Sequence, residues 1–404
     1  MKYVVLIGDG MADRPIAELG GKTPLQAAST PNMDRLAGLG LCGMAQTVPA
    51  GYDPGSDVAN MSVLGYDPAE YYSGRAPLEA ASMGVDLAPE DVAFRCNLVT
   101  IKHEGGKSYM QDYSAGHITS AEAAPVIKHL AEHLKADGVK FYPGVSYRHL
   151  MVWRGADEKV KCTPPHDITG KDIAPHMPKG PGDDVLSSLI TRSWEILSAL
   201  EFNKERIKAG KNPANSVWFW GQGRKPRFTP FRDKFGVSGA LVSAVDLMKG
   251  LAVCSGLRVL DVPGVTGYLD TNYEGKASYS LDALADVDFV YIHVEAPDEA
   301  GHMGKLAEKV RAIEDFDRLV VGNMIKGLDE RFKEYRVLLM PDHPTPIEIK
   351  THSAEGVPFV LYDSTVKRQG VKCGYSEDIA KQPGIMHVDV GHRLMEYLIK
   401  GVPA

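Results

Sequence analysis

The chain is short of paired thiols, of excess positive charge and of long apolar runs, and each shortage excludes a class of function. Its five cysteines, Cys42, Cys96, Cys162, Cys254 and Cys373, are dispersed, odd in number and without C-x-x-C spacing. That argues against a disulfide framework and a cysteine-bound zinc, and it fits a reducing cytoplasm. Lysine and arginine number 45 against 52 aspartates and glutamates, a net charge of -7. No polycationic footprint for nucleic acid exists, although local arginines can still bind a small anion. The opening MKYVVLIGDG has only five apolar residues in a row before Gly8, too short for a signal-peptide core, and nothing later approaches a membrane span. Internal repeats and low-complexity tracts are also lacking. The composition is that of a soluble globular protein, 44% hydrophobic and 24% charged over 404 residues. That length is too great for one typical core, so two domains are expected.

The strands and helices alternate at both ends of the chain. YVVLIGDG is a continuous apolar run ending in Gly-Asp-Gly, the pattern of a buried parallel strand whose carboxyl end enters a loop. In STPNMDRLAGLG, Thr30 reads as an N-cap with Pro31 at the first helical position. Late in the chain VDFVYIHVEAPD, YRVLLMPDH and VPFVLYD read as strands, separated by the amphipathic KLAEKVRAIEDFDRLVVGNMIKGL and closed by DVGHRLMEYLI. This alternation implies an α/β fold, a mainly parallel sheet with helices on both faces. From about Pro89 to Thr229 the strands read as shorter and more polar, interleaved with two helices. The expected organisation is therefore a discontinuous domain, 1–88 with 230–404, into which a smaller α/β domain, 89–229, is inserted.

In open α/β sheets, ligands gather at the carboxyl ends of strands. Asp9 ends the first strand. Asp298 and His302, in PDEAGHMG, stand one helical turn apart after another, Asp342 and His343 end a third, and His352 follows in KTHSAEGVP. Six such carboxylates and imidazoles, with a serine oxygen as a seventh ligand, suit two divalent metal ions. That serine is Ser56 in GYDPGSDVAN, a bend crowded with Gly51, Pro54 and Gly55 ahead of a helix. Ser56 reads either as an ordinary helix cap or as a hydroxyl presented to an anion over the first-turn amides.

Taken in order, GDG at 8–10, GSDVANMSVLGYD around Ser56, PDEAGH ending in His302, PDH ending in His343 and THSAEGVP around His352 resemble the motifs of the alkaline phosphatase superfamily. Within it the sequence is most similar to cofactor-independent phosphoglycerate mutases of the archaeal type, over the whole chain and with the inserted domain. The resemblance implies that Asp298, His302 and His352 hold one ion and Asp9, Ser56, Asp342 and His343 the other. Mn, Zn, Co and Mg all suit such mixed oxygen and nitrogen sets. It further implies that Ser56 is a nucleophile that takes the phosphoryl group of 3-phosphoglycerate and returns it to the 2-hydroxyl.

The inserted domain should then supply cations for the substrate and close over the site against water. Arg224 and Arg227 in WFWGQGRKPRF resemble the family's paired arginines; Arg148 is a further candidate, and Arg75 in GRAPLEAA lines the cleft or serves as a hinge. Asp112 and His117, in QDYSAGHIT, resemble the acid and histidine of that domain, His117 handling the proton on the substrate hydroxyl. Neither Lys249 nor Lys276 is a clean counterpart of the active-site lysine of better-known mutases. The partner is a small phosphorylated molecule rather than a nucleic acid or membrane, and the oligomeric state is left open. Rival readings are a related phosphotransferase such as a homoserine kinase, which would work without a G-x-x-x-x-G-K-[ST] loop, a metal-dependent phosphatase, and a non-catalytic metal-stabilised binding protein.

Overall fold

A computed structural model describes residues 1–402. It separates into two compact units, Met1–Tyr72 with Arg227–Ala404, and Ser73–Pro226. Composition places the first division at 88/89, later than the structure does. The reason is the helix Arg75–Ser82, whose Ala76 and Ala80 pack with Ala93, Leu150 and Val152 of the second unit's sheet.

In chain order the strands are β1 (Lys2–Gly8), β2 (Leu41–Ala45), β3 (Asp91–Glu104), β4 (Lys107–Asp112), β5 (Val139–Tyr142), β6 (Arg148–Arg154), β7 (Ser216–Gly223), β8 (Gly239–Val242), β9 (Arg258–Val259), β10 (Phe289–Val294), β11 (Tyr335–Met340), β12 (Val357–Asp363) and β13 (Met386–Val388). The first unit holds an eight-stranded sheet in the order β13-β2-β12-β11-β1-β10-β8-β9. It is mainly parallel, and only the two pairings of β12 run antiparallel. Val4 to Ile7 of β1 are fully buried, as a central strand covered on both faces requires. Val4, Leu6, Val290, Ile292, Val337 and Leu339 share one core with helical residues such as Met324 and Leu328. Each such side chain stabilises the fold by about 1.5–3 kcal/mol through burial. Register does the rest: Ile7 pairs with both His293 and Met340, so β1, β10 and β11 end at one level. The segments that carry Asp9, Asp298 and Asp342 consequently leave the sheet side by side.

The second unit is antiparallel, with β3 paired to β4, β6 and β7. Its strands are not uniformly short and polar as the sequence suggests. β3 runs 14 residues, and Val92 to Ile101 are all buried. It lies between β6 and β7 with both faces covered. Val92, Phe94, Cys96 and Leu98 pack with residues of the helices Ser120–His133 and Asp183–Ser198, and Ala93 packs with the helix Arg75–Ser82. The polar residues within β3 therefore need partners, and Arg95 finds one described below.

Candidate active site

Ser56 is not a helix cap. Gly55 occupies the cap position of the helix Ser56–Val63, and Ser56 is the first helical residue. Its hydroxyl instead lies 3.2 Å from Nε2 of His343. The capping expectation fails because the extended Gly55 carries the bend, leaving the serine side chain turned to the carboxyl edge of the sheet.

All the other acids and histidines expected at that edge belong to the same unit and converge. The donor atoms of Asp9, Asp342 and His343 lie within 4.8 Å of one another, as do those of Asp298, His343 and His352. Asp298 and His302 face each other across one turn of the helix Ala296–His302, 3.2 Å apart. Nε2 of His302 and Nε2 of His352 approach to 2.9 Å, and His352 Nε2 lies 3.5 Å from Asp298 Oδ1. Backbone carbonyls set the direction of these rings: Nδ1 of His302 sits 3.0 Å from the Lys350 carbonyl and Nδ1 of His352 sits 3.2 Å from that of Pro54. With Nδ1–H donating to each carbonyl, both Nε2 atoms keep lone pairs aimed at one point, the arrangement by which outer partners orient metal-binding imidazoles.

The electrostatics point the same way. Burial, and then Asp342, Asp298 and Glu295, push the Asp9 carboxyl well above the usual carboxylate range. Burial also opposes charge on Asp298, but His352 and His302 outweigh it and hold that carboxyl well below its usual value. His343, enclosed and uncharged, is pushed down to about 4 by burial. Oδ1 of Asp9 is buried with no hydrogen-bond partner. A divalent cation satisfies such an oxygen and offsets the repulsion among these acids, so the donor set fits one or more metal ions.

A surrounding layer, apart from Lys276, was not singled out from sequence. Thr345 donates its hydroxyl to Asp298 Oδ1. His293 places Nε2 3.0 Å from Asp9 Oδ2 and Nδ1 3.1 Å from Ser243 Oγ. Asn60 is fully buried; its amide nitrogen donates to Asp342 Oδ2 at 2.7 Å and to the Ser56 carbonyl at 2.9 Å, while its oxygen accepts from Tyr291 at 2.6 Å. Glu295 forms a third cluster with Asp9 and Asp298. Of the two unassigned lysines, Lys276 belongs here: it is buried, donates to the His293 carbonyl at 2.7 Å, and is lowered to about 8 chiefly by burial. Lys249 is half exposed beside Asp246. The buried strand FVYIHV offered the one signal for His293, a polar residue in an otherwise apolar central run.

In the second unit, Arg95 projects from β3 to Glu79, 2.9 Å away, and lies over the Trp220 ring at 4.3 Å. Arg75 lies over the same ring at 5.8 Å, and Arg148 over Tyr147 at 4.7 Å. Burial first, then Arg75 and Arg148, bring Arg95 down to about 10 against the pull of Glu79. Three guanidinium groups thus share one electropositive region. Arg224 is differently engaged, paired with Glu158 and donating to the Pro89 and Ala156 carbonyls. Arg227 is the first residue of the other unit's second segment. Asp112 accepts from Ser114 N, Ser114 Oγ, Gly116 N and Asn212, and so fixes the loop on which exposed His117 adopts a left-handed φ of 49°.

Known proteins resemble this chain in sequence and fold. A family model described as 2,3-bisphosphoglycerate-independent phosphoglycerate mutase matches residues 37–203. The 2,3-bisphosphoglycerate-independent phosphoglycerate mutase of Methanosarcina acetivorans is 57% identical over 90% of this chain and 90% of its own. The solved structure of a Pyrococcus horikoshii protein is similar with a TM-score of 0.82 and 29% identity, covering 100% of this chain and 98% of that one. That of the cofactor-independent phosphoglycerate mutase from Thermoplasma acidophilum gives 0.64 and 28%, covering 99% of each chain. The chain belongs to the 2,3-bisphosphoglycerate-independent phosphoglycerate mutase family.

Proposed function

We propose that the chain interconverts 3-phosphoglycerate and 2-phosphoglycerate without 2,3-bisphosphoglycerate, using Ser56 as the phosphoryl acceptor. The observation that carries the role of Ser56 is its hydroxyl, 3.2 Å from His343 Nε2 and beside the acid and histidine cluster. Asp9, Ser56, Asp342 and His343 would hold one divalent ion and Asp298, His302 and His352 a second, with Mn, Zn, Co and Mg all compatible. Bound there, the ions supply the charge that lowers the hydroxyl pKa and neutralises phosphoryl oxygens.

The residues account for the remaining steps. Ser56 Oγ gives up its proton and forms a bond to phosphorus as the bond from phosphorus to the 3-oxygen of glycerate breaks, and that oxygen takes a proton. The glycerate reorients, and its 2-hydroxyl takes the phosphoryl group back as the bond to Ser56 breaks and the serine regains a proton. We assign the proton on the substrate hydroxyl to His117, on the loop that Asp112 holds. Arg75 and Arg148 suit the substrate's carboxylate and phosphate oxygens as planar donors, with Arg95 beneath them sustaining the positive field. Arg224 has its donors taken up by Glu158 and two carbonyls, which favours a structural role for it. The inserted unit is also assigned the exclusion of water, without which a phosphoserine would be hydrolysed. A cytoplasmic setting accords with five free cysteines, and no helix among the described residues is long and apolar enough to cross a membrane.

The relatives described above do not favour a homoserine kinase or a phosphatase. The deciding assay couples formation of 2-phosphoglycerate from 3-phosphoglycerate to enolase, with added manganese and no bisphosphoglycerate. Turnover that disappears with a chelator and returns with metal is expected. Release of free phosphate in its place would make the protein a hydrolase.

A further inference from the structure

The helix Ser120–His133 of the second unit buries Ala123, Val126, Ile127 and Leu130 in that unit's core. Its last turn and a half carries His129, Glu132 and His133 outside that apolar stripe, in the sequence His-Leu-Ala-Glu-His. Glu132 and His133 are exposed and His129 is partly so, while one donor atom from each lies within 4.8 Å of the others. We propose that these three residues form a further divalent-metal site, selective for imidazole-preferring ions such as zinc, nickel and copper, and separate from the phosphoryl-transfer cluster.

Four observations support it. Two histidines at i and i+4 on a helix face the same way, so both can reach one ion. Their rings already stack, with centroids 4.0 Å apart and planes inclined by 25°. Nδ1 of His133 lies 2.9 Å from the His129 carbonyl; with its N–H donated there, Nε2 keeps the lone pair and the ring is held, the role an outer partner plays for a metal-binding imidazole. Finally, the three side chains sit at the carboxyl end of a 14-residue helix, where the partial negative charge of the backbone favours a cation. Two imidazoles and one carboxylate match zinc, nickel or copper better than magnesium or manganese, which prefer oxygen. The three protein donors leave a fourth position open to water.

The test uses untagged full-length protein saturated with manganese. Zinc chloride is titrated by calorimetry into this protein and into H129Q/H133Q and Glu132→Gln variants. The wild-type chain should take up one more zinc than the double variant, and Glu132→Gln should weaken that step by about ten-fold or more, the least that disturbing a metal-binding shell brings. Equal zinc stoichiometry in wild type and double variant would overturn the proposal. Because a variant can misfold, the unaltered protein gives a second reading: zinc should protect His129 and His133 from carbethoxylation, read by peptide mass spectrometry. Modification of both at the same rate with and without zinc would likewise overturn it.

Discussion

The carboxyl edge of the parallel sheet and the arginine region of the inserted unit are built in opposite ways. At the sheet edge, three neighbouring strands in register end at one level, so the backbone itself delivers Asp9, Asp298 and Asp342 to one place. In the inserted unit no such edge exists. Arg75 comes from a helix, Arg95 from the middle of β3, and Arg148 from the start of β6; Arg75 and Arg95 meet over the Trp220 ring, while Arg148 lies over Tyr147. The first arrangement is dictated by topology and the second by side-chain packing, so substitutions should affect them differently.

The sharpest break is Ser56→Ala. Mutase turnover should fall by at least about 10⁴-fold, as expected when a sole nucleophile is removed. The melting temperature should hardly change, because the hydroxyl caps nothing; a large drop in melting temperature would return Ser56 to a structural role. On the other side of the comparison, Arg75→Met and Arg148→Met should each raise KM for phosphoglycerate by about ten- to a hundred-fold, the loss of one charge-assisted hydrogen bond. An unchanged KM in both would remove the arginine region from substrate binding. Asn60→Ala touches the sheet edge without removing an expected ligand. It strips partners from Asp342, the Ser56 carbonyl and Tyr291, and should cost about 1–3 kcal/mol of stability in a denaturant titration.

The smallest effect concerns pH and belongs to the inserted unit. His149 is buried on β6, accepts from Gly144 N at 3.0 Å, and is lowered to about 3 by burial. Between about 6.5 and 3 the unfolded chain binds this proton and the folded chain does not, so stability falls as pH falls. Above about 6.5 the group has no effect. The slope approaches about 1.4 kcal/mol per pH unit below 6.5, giving about 1 kcal/mol by pH 5.5. His149→Gln should flatten that acid limb of the unfolding profile; an unchanged slope would assign acid sensitivity elsewhere.

The same contrast explains what the sequence disclosed. YVVLI, FVYIHV and YRVLLM announce buried strands, and acids directly after them fall at the edge whatever the side-chain packing, so Asp9, Asp298, His302, Asp342, His343 and His352 were legible. His293, Asn60 and Lys276 were not, since their importance lies in which neighbour they touch. Arg95 left a trace, a charge inside the apolar AFRCNLV, but its partner Glu79 lies on another element. The polar look of the middle segment also misled, because β3 hides its polar residues between covered faces. Ser56 was legible as a residue in a special bend, while only the structure distinguished a cap from a hydroxyl beside His343.

The chain's threading also imposes an order on its synthesis. Tyr3 pairs with Phe289, and Lys2 with Tyr335, so β1 finds these neighbours only after about 280 further residues have been made. Residues 73–226 need no such wait, since every strand of their sheet lies within that continuous stretch. The inserted unit can fold while synthesis continues, whereas the apolar β1 stays unpaired, a form of exposure that invites aggregation. Shielding of Lys2–Gly8 until β10 and β11 have been made would therefore favour correct folding of this chain.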